Sequence, residues 1–211
     1  MIRDKIIKVC GMRDADNIRQ ISLLKPDYMG FIFWDHTPRS AIGMPACNIS
    51  LLPSTTRPVG VFVNETVESI LSTCAAYGID TIQLHGSETP DMCRQLRSHG
   101  LHAWKAFGID AGFDFSSLKD YEHTVEMLVL DTKTPKCGGS GRRFDWSLLD
   151  RYHLDIPYLL SGGIGPDSAN DVLAAFSKPH LAGIDLNSRF ESAPGIKDSE
   201  KLTNFANSLK R

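Results

Sequence analysis

Eight short apolar runs recur along the chain: Ile6–Cys10, Tyr28–Phe33, Val59–Val63, Thr81–His85, Ala103–Phe107, Met127–Asp131, Tyr158–Ser161 and Leu181–Leu186. Most are rich in β-branched and aromatic residues and do not alternate apolar with polar. A strand covered by helices on one face and by a core on the other has this pattern, so the runs predict parallel strands buried on both sides.

The segments between them carry helical periods. Asp14 is a candidate N-cap for a helix with Ile18, Ile21 and Leu24 on one face. Val67, Ile70, Leu71, Cys74 and Tyr77 keep a spacing near 3.6 after Asn64. Thr89-Pro90 reads as N-cap and first helical residue, with Cys93 and Leu96 inward and Gly100 past the end. Asp198 opens a last helix through Leu202, Phe205 and Leu209. Residues 41–57, with Pro45 and Pro53, and residues 110–122 are poor in helical period; each predicts a short or irregular helix.

Eight strands, each followed by a helix or its remnant, predict an α/β protein: one (βα)8 TIM barrel spanning residues 1–211 as a single domain. An open doubly wound sheet is the alternative, but it usually needs fewer strands for this length. The first strand is also followed by Cys10-Gly11-Met12-Arg13 rather than a dinucleotide-binding glycine pattern.

Composition narrows the function more than the fold. Twenty-three basic against 25 acidic residues give a formal charge of −2, which supplies no broad basic surface for nucleic acid and no polybasic membrane anchor. The N-terminal residues lack the apolar run of a signal peptide, and no apolar stretch is long enough to span a bilayer. Five scattered cysteines without a Cys-x-x-Cys fit reduced thiols in a cytoplasmic protein, with no structural metal expected. An anionic small molecule held by a local site is the expected partner. Nothing in the pattern separates a monomer from a homodimer.

In a barrel of this kind the active site lies at the C-terminal ends of the strands. The residues closing the runs there are Cys10, the Phe33 to Arg39 loop, Asn64, His85, Asp131, Ser161-Gly162-Gly163 and Asp185. Cys10 is either a thiol whose pKa a nearby cation lowers or an inert buried side chain. Asp131, after four apolar residues, is either a desolvated acid suited to proton donation near neutral pH or a cap for the turn at Thr132 or Thr134. Arg39 is a fork for a carboxylate or phosphate, or a solvated surface residue. His85 is a hydrogen-bonding wall of the site or a structural histidine. The loops Ser161-Gly162-Gly163-Ile164-Gly165 and Asn187-Ser188-Arg189 follow strands 7 and 8, where this fold often binds phosphate. Gly138-Gly139-Ser140-Gly141 lacks the ending of an ATP-binding loop and reads as a lid or a plain connection.

These residues, in order, resemble the phosphoribosylanthranilate isomerase family of tryptophan biosynthesis. The resemblance rests on Lys8-Val9-Cys10-Gly11, Gly30-Phe31-Ile32-Phe33 leading to Thr37-Pro38-Arg39, Val59 to Asn64, and Gln83-Leu84-His85-Gly86. It continues through Leu130-Asp131, Phe144-Asp145-Trp146, Leu160 to Ile164, Gly183-Ile184-Asp185, Ser188 to Glu191 and Pro194 to Asp198. It implies an Amadori rearrangement without a cofactor, with Cys10 as general base and Asp131 as general acid. It further implies Arg39 on the anthranilate carboxylate, Asp185 supporting the site, and the phosphate near Gly162, Gly163, Asn187 and Ser188. Asn187, the Arg142-Arg143 pair, Cys137 and Trp34-Asp35-His36 depart from the family's usual pattern. The rivals are the related histidine-pathway isomerase, which has a carboxylate in place of Cys10, and a barrel that only binds a phosphorylated ligand.

Overall fold

In the computed structural model, which describes residues 5–133 and 143–210, the eight runs become eight parallel strands joined in sequence order into a closed barrel. They are β1 Ile6–Cys10, β2 Tyr28–Ile32, β3 Arg57–Phe62, β4 Thr81–Leu84, β5 His102–Ile109, β6 Met127–Thr132, β7 Tyr158–Leu160 and β8 Leu181–Leu186. Two match the sequence reading end to end. The others differ by one or two residues at one or both ends, because pairing follows the neighbouring backbone rather than side-chain polarity. Phe33 and His85 fall just past their strands, whereas Thr132 continues β6.

The helices are α1 Ala15–Ser22, α2 Val67–Tyr77, α3 Pro90–Ser98, α4 Ala169–Ala175 and α5 Ser199–Ser208. Asp14, Thr89 and Asp198 cap α1, α3 and α5 as expected, each side chain accepting from backbone N–H groups of the first turn. Leu24 lies beyond α1, where the chain turns at Lys25 with φ 51°. The two poor slots hold 3-10 turns, Ala46–Leu51 and Phe115–Tyr121, and a third, Trp146–Arg151, follows β6. In the first slot Pro45 stands directly before the turn and Pro53 closes it off.

The pleat sorts side chains into two apolar layers. Leu128, Leu130, Val9, Phe31, Ile82 and Ile184 face outward and pack with Ile18, Ile21, Ile70, Leu96, Val172 and Phe205 of the helices. Met127, Val129, Val59, Trp104, Ala106 and Leu159 fill the barrel interior with Ile6, Tyr28 and Ala182. Each such fully buried aliphatic or aromatic side chain contributes roughly 1.5–3 kcal/mol. The interior layer does not stay apolar to the top. Lys8, Gln83 and Asp185 are buried above it and form the floor of the site.

One element is absent from the sequence reading. After β8 the chain makes a small antiparallel hairpin, β9 Glu191–Ala193 and β10 Ile196–Lys197, turning through Gly195 at φ 81°. Its second strand is fixed to α1, because Asn17 both accepts from the Lys197 N–H (2.7 Å) and donates to the Lys197 carbonyl (2.8 Å).

Candidate active site

Cys10 closes β1 directly opposite Gly30 in register. A side chain at position 30 would place its Cβ 2.6 Å from the Cys10 sulfur, so the glycine is what makes room for the thiol. Two residues back on the same face, Lys8 sits opposite Asp185 of β8 and binds it across 2.7 Å, both side chains buried. Burial works against the Lys8 charge, yet Asp185 and Cys10 hold its pKa above the ordinary value. Asp185 is pushed up by burial, with Lys8 pulling against it. Cys10 corrects the sequence expectation: burial pushes its thiol up, and the pull of Lys8 and Lys197 offsets only part of that. A basic neighbour is present, but depth in the barrel outweighs it.

Across the mouth, burial raises Asp131 to about 6, while the Thr132 N–H and the Lys8 charge pull it down. That N–H donates to Asp131 Oδ1 at 2.7 Å, so the carboxyl does cap the turn at Thr132 and still stands over the barrel mouth. His85 Nε2 lies 3.5 Å from Asp131 Oδ2. Burial, then the Lys105 and Lys8 cations, depress His85 to about 4, so the imidazole is neutral at pH 7 and the contact is no ion pair. The Gln83 amide orients the ring through Nδ1 at 3.1 Å. Gly162, at φ 81°, passes so close to Asp131 and Thr132 that no side chain fits there.

Arg39 does reach the mouth, but it is already occupied. Its Nε and Nη2 grip the Glu191 carboxylate at 2.9 and 2.7 Å. Glu191 also receives the Lys197 ammonium at 2.6 Å, and Lys197 donates to Asn187 Oδ1 at 2.8 Å. Burial opposes the charge on Glu191, yet Arg39 and Lys197 hold its carboxyl below the usual range. All of this surrounds Gly11, φ 80°, where an added Cβ would meet Asn187 at 2.8 Å, Arg39 at 3.2 Å and Lys197 at 3.3 Å. The sequence reading missed Glu191 and Lys197 as site residues. It had placed the segment from Ser188 to Asp198 only within the family pattern. Lys8 it could have flagged, as one of two lysines, with Lys105, set inside the eight apolar runs.

The glycine-rich loop after β7 and the loop after β8 meet on this rim. Gly162 and Gly163 are both left-handed, at φ 81° and 68°, and Arg189 after β8 binds Asp167 after β7 at 3.1 Å. Ser188 begins a short 3-10 turn to Phe190. Asn64 serves the scaffold: its side chain accepts from Ser87 N–H at 2.7 Å and its own N–H donates to Glu88 at 2.8 Å. Gly138 to Gly141, Cys137 and Arg142 lie outside the described residues. Among the described residues no helix is long and apolar enough to cross a membrane.

A closed parallel barrel whose C-terminal mouth carries a buried thiol at the end of β1 and a high-pKa carboxyl on β6, beside cations and glycine turns, defines a barrel isomerase of the acid–base kind. A family model described as N-(5'-phosphoribosyl)anthranilate isomerase matches residues 7–208. The enzyme of that name from Parabacteroides distasonis is 44% identical, over 95% of this chain and 91% of the relative. The Thermotoga maritima structure superposes with a TM-score of 0.83 at 31% identity, covering 98% of both chains. A further isomerase structure, solved in complex with reduced 1-(o-carboxyphenylamino)-1-deoxyribulose 5-phosphate, gives 0.80 at 27% identity, again over 98% of both. This chain belongs to the phosphoribosylanthranilate isomerase family.

Proposed function

We propose that the chain isomerises N-(5-phosphoribosyl)anthranilate to 1-(2-carboxyphenylamino)-1-deoxyribulose 5-phosphate, with Asp131 as general acid and Cys10 as general base. The reaction is the Amadori step of tryptophan biosynthesis and needs no cofactor. The observation that supports the residue roles is a half-buried carboxyl on β6, raised to about 6, at the same end of the barrel as the buried thiol that closes β1. Protonated Asp131 gives its proton to the furanose ring oxygen, and the ring opens to a Schiff-base cation. Ionised Cys10 then takes the proton from C2 of the sugar, leaving an enolamine that tautomerises to the ketone.

At pH 7 each group is mostly in the opposite state, Asp131 ionised and Cys10 protonated. The working form is therefore a minority form, whose share of the population stays constant between the two pKa values. Arg39, with its charge only partly met by Glu191, takes the anthranilate carboxylate. Backbone N–H groups of Gly162, Gly163, Asn187 and Ser188 take the phosphate. Neutral His85 lends a hydrogen bond near the reacting atoms, and Asp185 holds Lys8 in place under the substrate. The enzyme works in the cytoplasm as a monomer or homodimer, which sedimentation of the purified protein distinguishes.

The test follows loss of the substrate's anthranilate-type fluorescence. Asp131→Asn and Cys10→Ser are each expected to lower kcat by about 10²–10⁴-fold while the fold persists. Near-wild-type turnover in either variant removes that residue from its role. Turnover of the histidine-pathway substrate in preference to the anthranilate one would support the rival isomerase instead.

A further inference from the structure

Lys197 is a fully buried ammonium that the acid–base chemistry leaves without a task. Its side chain is 0% exposed and its backbone is tied to Asn17 of α1. Burying a lysine costs free energy that a surface pair with Glu191 avoids. Nor does Glu191 need it, since the Arg39 fork already spans both carboxylate oxygens. Two cations therefore share one carboxylate, leaving this cluster an excess positive charge. Beneath Cys10 the balance differs: Lys8 is matched by Asp185. The excess charge lies beside Gly11, where the missing side chain leaves 3.3 Å between the Lys197 ammonium and the position a Cβ would take, immediately after Cys10 in the chain.

We propose that Lys197 is an electrostatic positioning residue for Cys10: its ammonium, delivered by the β9–β10 hairpin and reaching past the bare Gly11, stabilises the thiolate. The charged groups facing Cys10 are Lys8 from β1, Asp185 from β8 and Lys197 from β10, with Arg39 and Glu191 behind Lys197 and His85 and Asp131 across the mouth. Burial and Asp185 oppose ionisation of the thiol; Lys8 and Lys197 favour it. Lys197 is the better one to probe, because removing Lys8 strands Asp185 in the interior, whereas removing Lys197 leaves Glu191 paired with Arg39. The hairpin thereby links the residue expected to hold the substrate's carboxylate to the residue expected to take its proton.

The importance of this for catalysis rests on Cys10 being the base, but the test does not. Below its pKa, a thiol is alkylated in proportion to its thiolate fraction. The pH dependence of Cys10 alkylation by iodoacetamide between pH 7 and 9, read by peptide mass spectrometry to separate it from the other cysteines, tracks that fraction. Lys197→Met is expected to slow Cys10 alkylation about tenfold, equivalent to one pKa unit. Lys197→Arg is expected to restore most of the rate, and Lys201→Met, at an exposed position on α5, to leave it unchanged. Glu191→Gln keeps both cations, removes the opposing charge and is expected to speed alkylation, which keeps the proposal testable if Lys197→Met does not fold. A rate within twofold of wild type in Lys197→Met, or no acceleration in Glu191→Gln, overturns the proposal. If Cys10→Ser keeps its turnover while these rates move as expected, the role of Cys10 as base fails and the role of Lys197 stands.

Discussion

Two buried lysine–carboxylate pairs sit on opposite faces of the same barrel wall, and they are built for different ends. Lys105 of β5 lies between the inward Trp104 and Ala106, so the pleat turns it outward, where it meets Glu88 at 3.2 Å. Its ammonium also donates to the carbonyls of Gly86 and Ala106 at 2.8 and 2.9 Å, while Glu88 accepts from the N–H groups of Asn64 and Gly86. Every strong group in that pair is satisfied, and the result is a clamp on the loops after β3 and β4. Lys8–Asp185, inside the barrel, is as deeply buried but incomplete. Asp185 Oδ1 has no hydrogen-bond partner among the described residues, and the pair's neighbours are Cys10, His85 and Asp131, all titratable. A saturated ion pair holds backbone; an unsaturated one sets the charge of what lies above it.

The comparison breaks most visibly at the clamp. Lys105→Met leaves Glu88 buried without its cation and is expected to cost about 3–5 kcal/mol of stability. Urea unfolding monitored by circular dichroism measures this, and a loss under 1 kcal/mol would show that Lys105–Glu88 is no clamp.

The site side has the opposite sign. Asp131 titrates at about 6 in the folded chain, above the roughly 3.9 of an unfolded aspartate. As pH rises the unfolded chain gives up this proton first, so the stability associated with the neutral carboxyl is full below about pH 4 and lost by about pH 6. Asp131→Asn cannot ionise. It is therefore expected to be more stable than wild type by about 1–3 kcal/mol at pH 7, with no difference near pH 4, while losing turnover. Equal stability of the two proteins at pH 7 would mean that burial imposes no cost on Asp131.

The smallest effect belongs to the rim. Arg39→Ala is expected to raise KM about tenfold with a smaller change in kcat, because the carboxylate it holds is remote from the bond changes. Unchanged steady-state kinetics would leave Arg39 as a partner of Glu191 alone.

How far the sequence revealed this division follows from what is local. Strands buried on two faces give unbroken apolar runs, so the barrel and its mouth residues could be read directly, and caps such as Asp14 and Thr89 act within three residues. The 3-10 turns at Ala46–Leu51 and Phe115–Tyr121 were legible only as weak period, since proline and capping aspartates break helices without dictating what replaces them. The partner of Arg39 was not legible: Glu191 is 152 residues away and no periodicity links them. Nor was the direction of the Cys10 shift, which depends on depth of burial against the distance to Lys8 and Lys197. The identity of a side chain at a strand end is local information, but its charge state comes from the assembled barrel.

The most direct test of the opposed acid and base is the pH dependence of kcat/KM for wild type and Asp131→Asn. With Asp131 protonated and Cys10 ionised in the working form, wild-type kcat/KM is expected to climb with pH to about 6, hold level, and fall only as the raised Cys10 thiol titrates at alkaline pH. In Asp131→Asn the bend near pH 6 disappears and the residual rate keeps climbing until the thiol titrates. A bend that survives unchanged in the variant belongs to another group, such as the substrate's phosphate, and would contradict the assignment.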